Sequence, residues 1–557
     1  MRSRRYVSRP GDESQVERLI NSLKDKNKQS KWRREAAKRL GKLKAARAVE
    51  ALTAVMLDKD EDKWLRVASL RAAVDIDGNQ IIDELISIAT DKSEAHDLRW
   101  PAIGALSSIR AESAIEPLAS VLLDRKEDRN VRFATIHVLS SFKNDKALDA
   151  LLTVLLDKSQ HNSVRHSAAW DLTGSKSERV LEPLLSVLRD KSETERVRSQ
   201  VASNLGVRGD PRVFEPLVEI WADRSDNSKR ANRIRARALS ALSHIDAPRS
   251  VDYLITALQD RNESNDVRYW AGRTLNEIAE ADARVGRAVI EELTEPRTLS
   301  VLTDLLQDKH EDAELRYLAA GVLGMAGGPQ LVEIMLHCLA DSSDSVVIGA
   351  VSALGRFGDS RALQPLAGIL MDRSRNDIVR TNAVEALARI GAPGVFEILA
   401  ALLKSEDESQ NVLLATAGAL GRLGDVRAIQ VLAGILMDRS REDKIRSNAA
   451  ESLARTKGPE VFEMLKSILT NKDESITVRF DAAVFLGRLG YSRGMSVLRA
   501  VWKEPTAQSA DESSELKYAA ALGMRILSHA RNYGQQPLGR RKRKHDRTQT
   551  HRRRRSD

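Results

Sequence analysis

The chain has 557 residues, of which 42% are apolar but only 4% aromatic, and it carries a formal charge of +10. Plentiful Ala and Leu with so few rings suit closely packed helices and argue against a β-sandwich. A single cysteine, Cys338, excludes an intramolecular disulfide, and the absence of any run of ~18 apolar residues argues against a membrane-spanning helix.

The charge sits at the ends. Residues 1–10 carry +4 and residues 540–557 carry +8, which leaves 11–539 near −2. No apolar run follows the N-terminal arginines, so a secretory leader is not expected. With the lone cysteine this makes the cytoplasm the expected compartment, or the nucleus if the basic tail is an address in a eukaryotic source.

In chain order, residues 1–14 read as a basic arm, and residues 15–278 as a first arm of helix pairs. A repeated arginine carries that reading. It opens the pattern Arg-x-x-Ala-x-x-x-Leu, which Arg132–Leu139 follows with Thr135 at the Ala position, and recurs at one constant interval at Arg33, Arg66, Arg99, Arg132, Arg165 and Arg198. It continues at Arg235, Arg268, Arg316, Val347, Arg380, Leu413, Arg446, Arg479 and Lys517. Each step predicts a helix A, such as Val49–Leu57, a charged loop, and a helix B after the marker, such as 478–486; both show apolar residues three and four apart. Pro117, Pro183, Pro216 and Pro365 fall in first turns of A helices, where a missing N–H costs nothing. Gly424 is placed to cap a B helix in the left-handed conformation.

Residues 279–296 are an insertion, because the step from Arg268 to Arg316 is about half as long again as its neighbours; an extra helix is expected there. Residues 297–533 form a second arm, and 534–557 a basic tail too polar to fold alone. In the second arm the nonapeptide Leu366–Ser374 recurs unchanged at Leu432–Ser440, a duplication of two whole steps. The step from Arg198 to Arg235 is also longer than usual, which enlarges a basic loop at Arg224–Arg233.

The stretch Ala419–Ala428 (Ala-Leu-Gly-Arg-Leu-Gly-Asp-Val-Arg-Ala) and the Val-Arg-x-x-Ala helix starts resemble the HEAT-repeat superfamily, in particular the short bacterial-type repeats named after phycobilisome lyases. The resemblance covers roughly residues 15–530. It implies an all-α, right-handed superhelix of about 15 helix pairs, an armadillo-like solenoid with its B helices on a concave binding face. It also implies a ladder joining neighbouring repeats, for which the Asp eight residues before each marker is the candidate: Asp58/Arg66, Asp91/Arg99, Asp124/Arg132 and onward. Where Val347 and Leu413 replace the marker, apolar packing is expected to stand in.

Two sets of side chains are candidates for partner binding. One is aromatic or basic and lies at the start of B helices: Trp100, Phe133, His137, Trp170, Tyr269, Trp270, Arg273 and Tyr317. Packing between repeats is the competing reading. The other is an arginine stripe at B-helix ends, Arg356, Arg422 and Arg488, which lack an acid one turn earlier; Arg389 and Arg455 have Glu385 and Glu451 there and are expected to pair locally. Helix-end capping is the competing reading. The tail adds Arg540, Arg541, Lys542, Arg543, Lys544, Arg552, Arg553, Arg554 and Arg555 as a polyanion-binding segment for nucleic acid.

No catalytic residue, cofactor or metal site is expected. Cys-x-x-Cys, His-Glu-x-x-His and phosphate-loop motifs are all missing. The iron-binding His-Glu pairs of HEAT-like deoxyhypusine hydroxylases are represented once, by His310-Glu311. His337 and Cys338 read as packing residues of an A helix. The expected role is a non-catalytic scaffold for an unidentified protein partner. Nucleic-acid association through tails and stripe is one alternative, and a bilin-lyase or chaperone-like role, implied by the resemblance alone, is another.

Overall fold

A computed structural model describes residues 10–281, 287–405, 407–456, 459–503 and 510–534. The described residues form fifteen A–B helix pairs and no strand. They divide into two compact units between Glu292 and Leu293. The first runs from the pair Pro10–Lys24 and Ser30–Leu43 to the pair Ala247–Gln259 and Asn265–Ala281. The second runs from Pro296–Gln307 and Ala313–Ala326 to Gly494–Lys503 and Ala510–Gly534. The insertion holds a short helix, Arg287–Thr294, whose Val289 and Leu293 are buried.

Within a unit, each B helix packs on its own A helix and on the B helices before and after it. The apolar face predicted by the repeat is the buried one: in Lys63–Asp77 it comprises Leu65, Val67, Ala68, Leu70, Ala72 and Ala73. Neighbouring B helices meet closely because small residues face one another. At Gly355, a Cβ would stand 2.7 Å from the Ala386 Cα, so no side chain fits between these helices. Gly424 ends Gln410–Leu423 at φ +68°, as its position predicted.

The marker arginines are buried, with Arg99 1% and Arg165 2% exposed. Their partners differ from the expected aspartates. Arg99 Nε donates to Ala89 O at 3.1 Å, in the last turn of helix A, and its Nη1 donates to Glu127 at 2.9 Å. Glu127 lies in the A–B loop of the next step. The same triad recurs at Arg33 (Leu23 O, Glu61), Arg66 (Met56 O, Glu94), Arg380 (Leu370 O, Glu408) and Arg446 (Leu436 O, Glu474). One guanidinium therefore satisfies a carbonyl left over at a helix end and ties three elements together. Arg132 uses the neutral Gln160, at 2.6 Å.

The aspartates form a second ladder with other partners. Asp91 pairs with Lys59 at 2.7 Å and Asp157 with Arg125 at 2.8 Å, each cation being the residue after the preceding step's own aspartate. Each of these aspartates also accepts from the amide two residues on, as Asp91 does from Ser93 N at 2.8 Å. The Lys59 and Ser93 bonds hold the Asp91 carboxyl down to about 2.

Val347 and Leu413 are buried as expected, but apolar packing is not all that replaces the arginine. At the loop position otherwise held by Glu stand Arg375 and Arg441. Arg375 reaches back to Leu339 O and Asp341 O, both at 3.4 Å. Arg441 reaches back to Ser405 O at 3.0 Å and Lys404 O at 3.2 Å. The guanidinium has moved from one repeat to the next and still serves carbonyls beyond the preceding A helix.

The ladder carboxylates make the fold acid-sensitive. Arg66 holds Glu94, and Arg446 holds Glu474, below the ordinary value of 4.5. A depressed carboxyl pKa stabilises the folded state above its unfolded value, and the contribution is lost as pH falls through the folded value. The melting temperature should therefore stay level from pH 7 to about 5 and drop steeply below the 4.5 at which free Glu titrates. A melting temperature that stays flat down to pH 3 would contradict the ladder.

Candidate functional site

An apolar recess of the first unit lies on its B-helix face. It is a groove of about 700 Å³ crossing three consecutive B helices, Lys63–Asp77, His96–Ser108 and Arg129–Phe142. Leu70 and Val74 line one side, Pro101 and Gly104 the floor, and Ala134 and His137 the other side, with Trp100 at the edge. Small residues create the groove: nothing lies within 4 Å of where a Gly104 Cβ would point. Pro101 sits inside its helix, where its ring nitrogen cannot donate to the carbonyl four residues earlier.

Trp100 is 54% exposed and its Nε1 donates to Asn130 O at 3.3 Å, which leans the ring toward the next B helix. His137 is exposed, with Nδ1 3.2 Å from Asp171. Arg71 and Asp75 put one charge of each sign at the groove, and Ser108 Oγ is tied to Ala105 O at 2.8 Å.

The other aromatic candidates are not gathered here. Trp170 is exposed at 63%, while Phe133 is half-buried. Tyr269 and Trp270 are half-buried and meet edge to face with centroids 5.9 Å apart; Arg273 covers the Trp270 ring at 5.0 Å and pairs with Glu277 at 2.9 Å. Tyr317 packs over Gly349 and remains 36% exposed. Among the exposed rings that escaped the pattern are Trp32 at 61% and Trp64 at 48%. They precede their markers rather than follow them, and Lys63 lies 4.9 Å over the Trp64 ring.

Of the two local pairs expected in the arginine stripe, one forms, Glu451 with Arg455. Glu385 binds Arg422 of the next B helix, not Arg389 one turn on. Glu451 bridges Arg455 and Arg488, both at 3.1 Å. An acid on one B helix reaches the following helix's arginine, a contact that spacing along one helix does not show. Arg356 lines a cleft beside Met325 and Pro329. The tail arginines and lysines, Arg540–Lys544 and Arg552–Arg555, lie outside the described residues. Cys338 is buried, and burial pushes its thiol up to about 11. His337 is exposed rather than packed. Among the described residues, no group of three or more His, Cys, Asp or Glu gathers as a metal site, and no helix is long and apolar enough to cross a membrane.

Known proteins share this architecture. The family model described as HEAT repeats matches residues 82–162, 152–233, 299–378, 370–444 and 435–519, and that of the PBS lyase HEAT-like repeat matches 32–58 and 234–260. The chain belongs to the HEAT-repeat family. Yeast importin-beta (Kap95p) is similar in structure at a TM-score of 0.59 and 14% identity, over 94% of this chain and 78% of that one. The Kap95:Nup1 complex gives 0.58 and 12% identity, over 93% and 89%. A Kap121p mutant gives 0.57 and 14% identity, over 93% and 65%. No curated protein matches the sequence significantly.

Proposed function

We propose that the chain is a non-catalytic scaffold that holds a segment of a protein partner along the B-helix face of its first unit. The observation that carries this reading is the apolar groove between Leu70, Gly104 and His137, edged by the exposed Trp100. Concave, mostly apolar recesses with a few polar groups at the rim are where ligands lose the most surface to protein, and tryptophan is favoured among residues that dominate binding energy. The partner class that fits is a peptide segment presenting one or two apolar side chains to the groove, with polar neighbours meeting Arg71 and Asp75. One structural neighbour, the Kap95:Nup1 complex, is a protein of this fold held with another protein.

The test uses Gly104→Trp. A Cβ at this position meets nothing within 4 Å, so the new side chain is directed into the groove. Peptides selected from a displayed library against the full chain should bind Gly104→Trp at least ~10-fold more weakly, a loss of about 1.4 kcal/mol, with an unchanged melting temperature. Selected peptides that bind both proteins equally would overturn the reading.

A further inference from the structure

The repeat solves one recurring problem, the leftover carbonyl at the end of helix A, in two ways. Either a marker arginine serves it from within the repeat and a glutamate from the next loop neutralises that arginine, or the marker is lost and an arginine from the next loop reaches back. At the sixth step both arginines are present and the glutamate is not. Arg198, only 9% exposed, donates through Nε to Leu188 O at 3.0 Å. Arg230, from the enlarged loop's helix, donates through Nη2 to Glu193 O. The acid at the ladder position for Arg198 is Asp226, one methylene shorter than Glu, and it is turned to its own loop: it accepts from Ser228 N at 2.8 Å and Ser228 Oγ at 3.1 Å.

Among the described residues, Arg198 therefore forms no ion pair. It lines a cavity of about 90 Å³ together with Arg230, Lys191, Asp223 and Asp226. Asp223 is taken by Lys191 at 2.6 Å, and Arg235, also in the lining, by Glu263. Nearby Asp190 and Glu193 are taken by Lys158 and Arg165. Burial, and then the charge of Arg230, lower the Arg198 pKa from its ordinary value, with Asp190, Asp223 and Glu193 opposing. A buried guanidinium without a counter-charge is costly. The cavity is several times the ~10–15 Å³ that admits a single water. It also opens at the N-terminus of the helix Lys229–Ile245, whose free amides add positive potential.

We propose that this cavity binds a phosphate group, held by the Arg198 and Arg230 guanidiniums, with the Lys191 ammonium, shared with Asp223, as the third cation of the lining. Cations from two successive B helices and one loop approach it from different directions, which suits a tetrahedral oxyanion better than a planar carboxylate. The anion replaces the glutamate that this step lacks, and so locks the sixth and seventh repeats together. The group is either free phosphate or a phosphorylated side chain.

The experiment is thermal denaturation and calorimetric titration of the full chain with sodium phosphate at constant ionic strength. Sodium chloride is the reference. The wild-type chain should show a saturable rise in melting temperature. Arg230→Ser, an exposed position, should fold and bind phosphate at least ~10-fold more weakly; Arg198→Gln should behave alike. Since every variant keeps the basic tail, the difference isolates the cavity. No phosphate-specific rise, or an equal rise in Arg230→Ser, would overturn the proposal. A phosphoserine peptide that competes with phosphate, while its unphosphorylated form does not, identifies a partner's phosphorylated side chain as the source. Phosphate binding without such competition identifies the free ion.

Discussion

Arg99→Met is expected to lower the local opening free energy of helices His96–Ser108 and Arg129–Phe142 by roughly 3–5 kcal/mol, the usual cost of stranding one member of a buried ion pair. Glu127 is left with 3% of its side chain exposed and no cation, and Ala89 O loses both of its donors from Arg99, at 3.1 and 3.0 Å. In Arg99→Met/Glu127→Met both charges are gone, and much of the loss should return, because apolar side chains of similar size often replace a buried pair without penalty. What remains, about 1–3 kcal/mol, is the unsatisfied carbonyl. Hydrogen exchange of the two helices reads this out locally, which matters in a stack where each repeat touches only its neighbours. Equal losses in the single and double variants would mean that the pair contributes nothing as a pair.

Gly355→Val should cost about 1–3 kcal/mol by overpacking. The Ala386 Cα at 2.7 Å and Cβ at 2.9 Å leave no room for even one added carbon, so the helices Asp344–Phe357 and Asp377–Ile390 must part. Gly104→Val is the control. The chemistry is the same and the residue is again inside a B helix, but nothing lies within 4 Å; lifting the glycine's conformational freedom then favours the helix by a few tenths of a kcal/mol. Denaturation midpoints of the two variants should move in opposite directions. A shift of the same sign in both would show that helix propensity, not the close approach, decides.

The fold was legible because its signals are local. A marker at constant interval, an apolar face and glycine or proline at helix ends each depend on residues close in the chain, and the pairs fall where those signals put them. The ladder was half legible. Aspartate and glutamate recur at the same period, Asp91 and Glu94 three residues apart, so periodicity cannot say which one meets the buried arginine. Only the fold shows that Glu94, in the next step's loop, is the side chain that reaches Arg66. The local pairing expected in the arginine stripe holds for Glu451 and Arg455 but not for Glu385, which faces across to Arg422 for a related reason. Trp100 and His137, singled out in the sequence, line the groove, but its floor is made of what is absent at Gly104 and Ala134, and no pattern of large residues announces a recess.

The exchange of partners at Arg375 and Arg441 gives the second unit a grammar of two-word phrases. The markers Arg380 and Arg446 are followed by a loop glutamate and Arg316 by Asp341, whereas Val347 and Leu413 are followed by a loop arginine. Excising two steps, 381–446, would bring Glu474 to the position facing Arg380 and leave the phrase intact. Excising one step, 381–413, would bring Arg441 there instead, two guanidiniums where one belongs. The smallest piece that such a chain can gain or lose without misspelling itself is therefore a pair of repeats, the length in which Leu366–Ser374 and Leu432–Ser440 are copied.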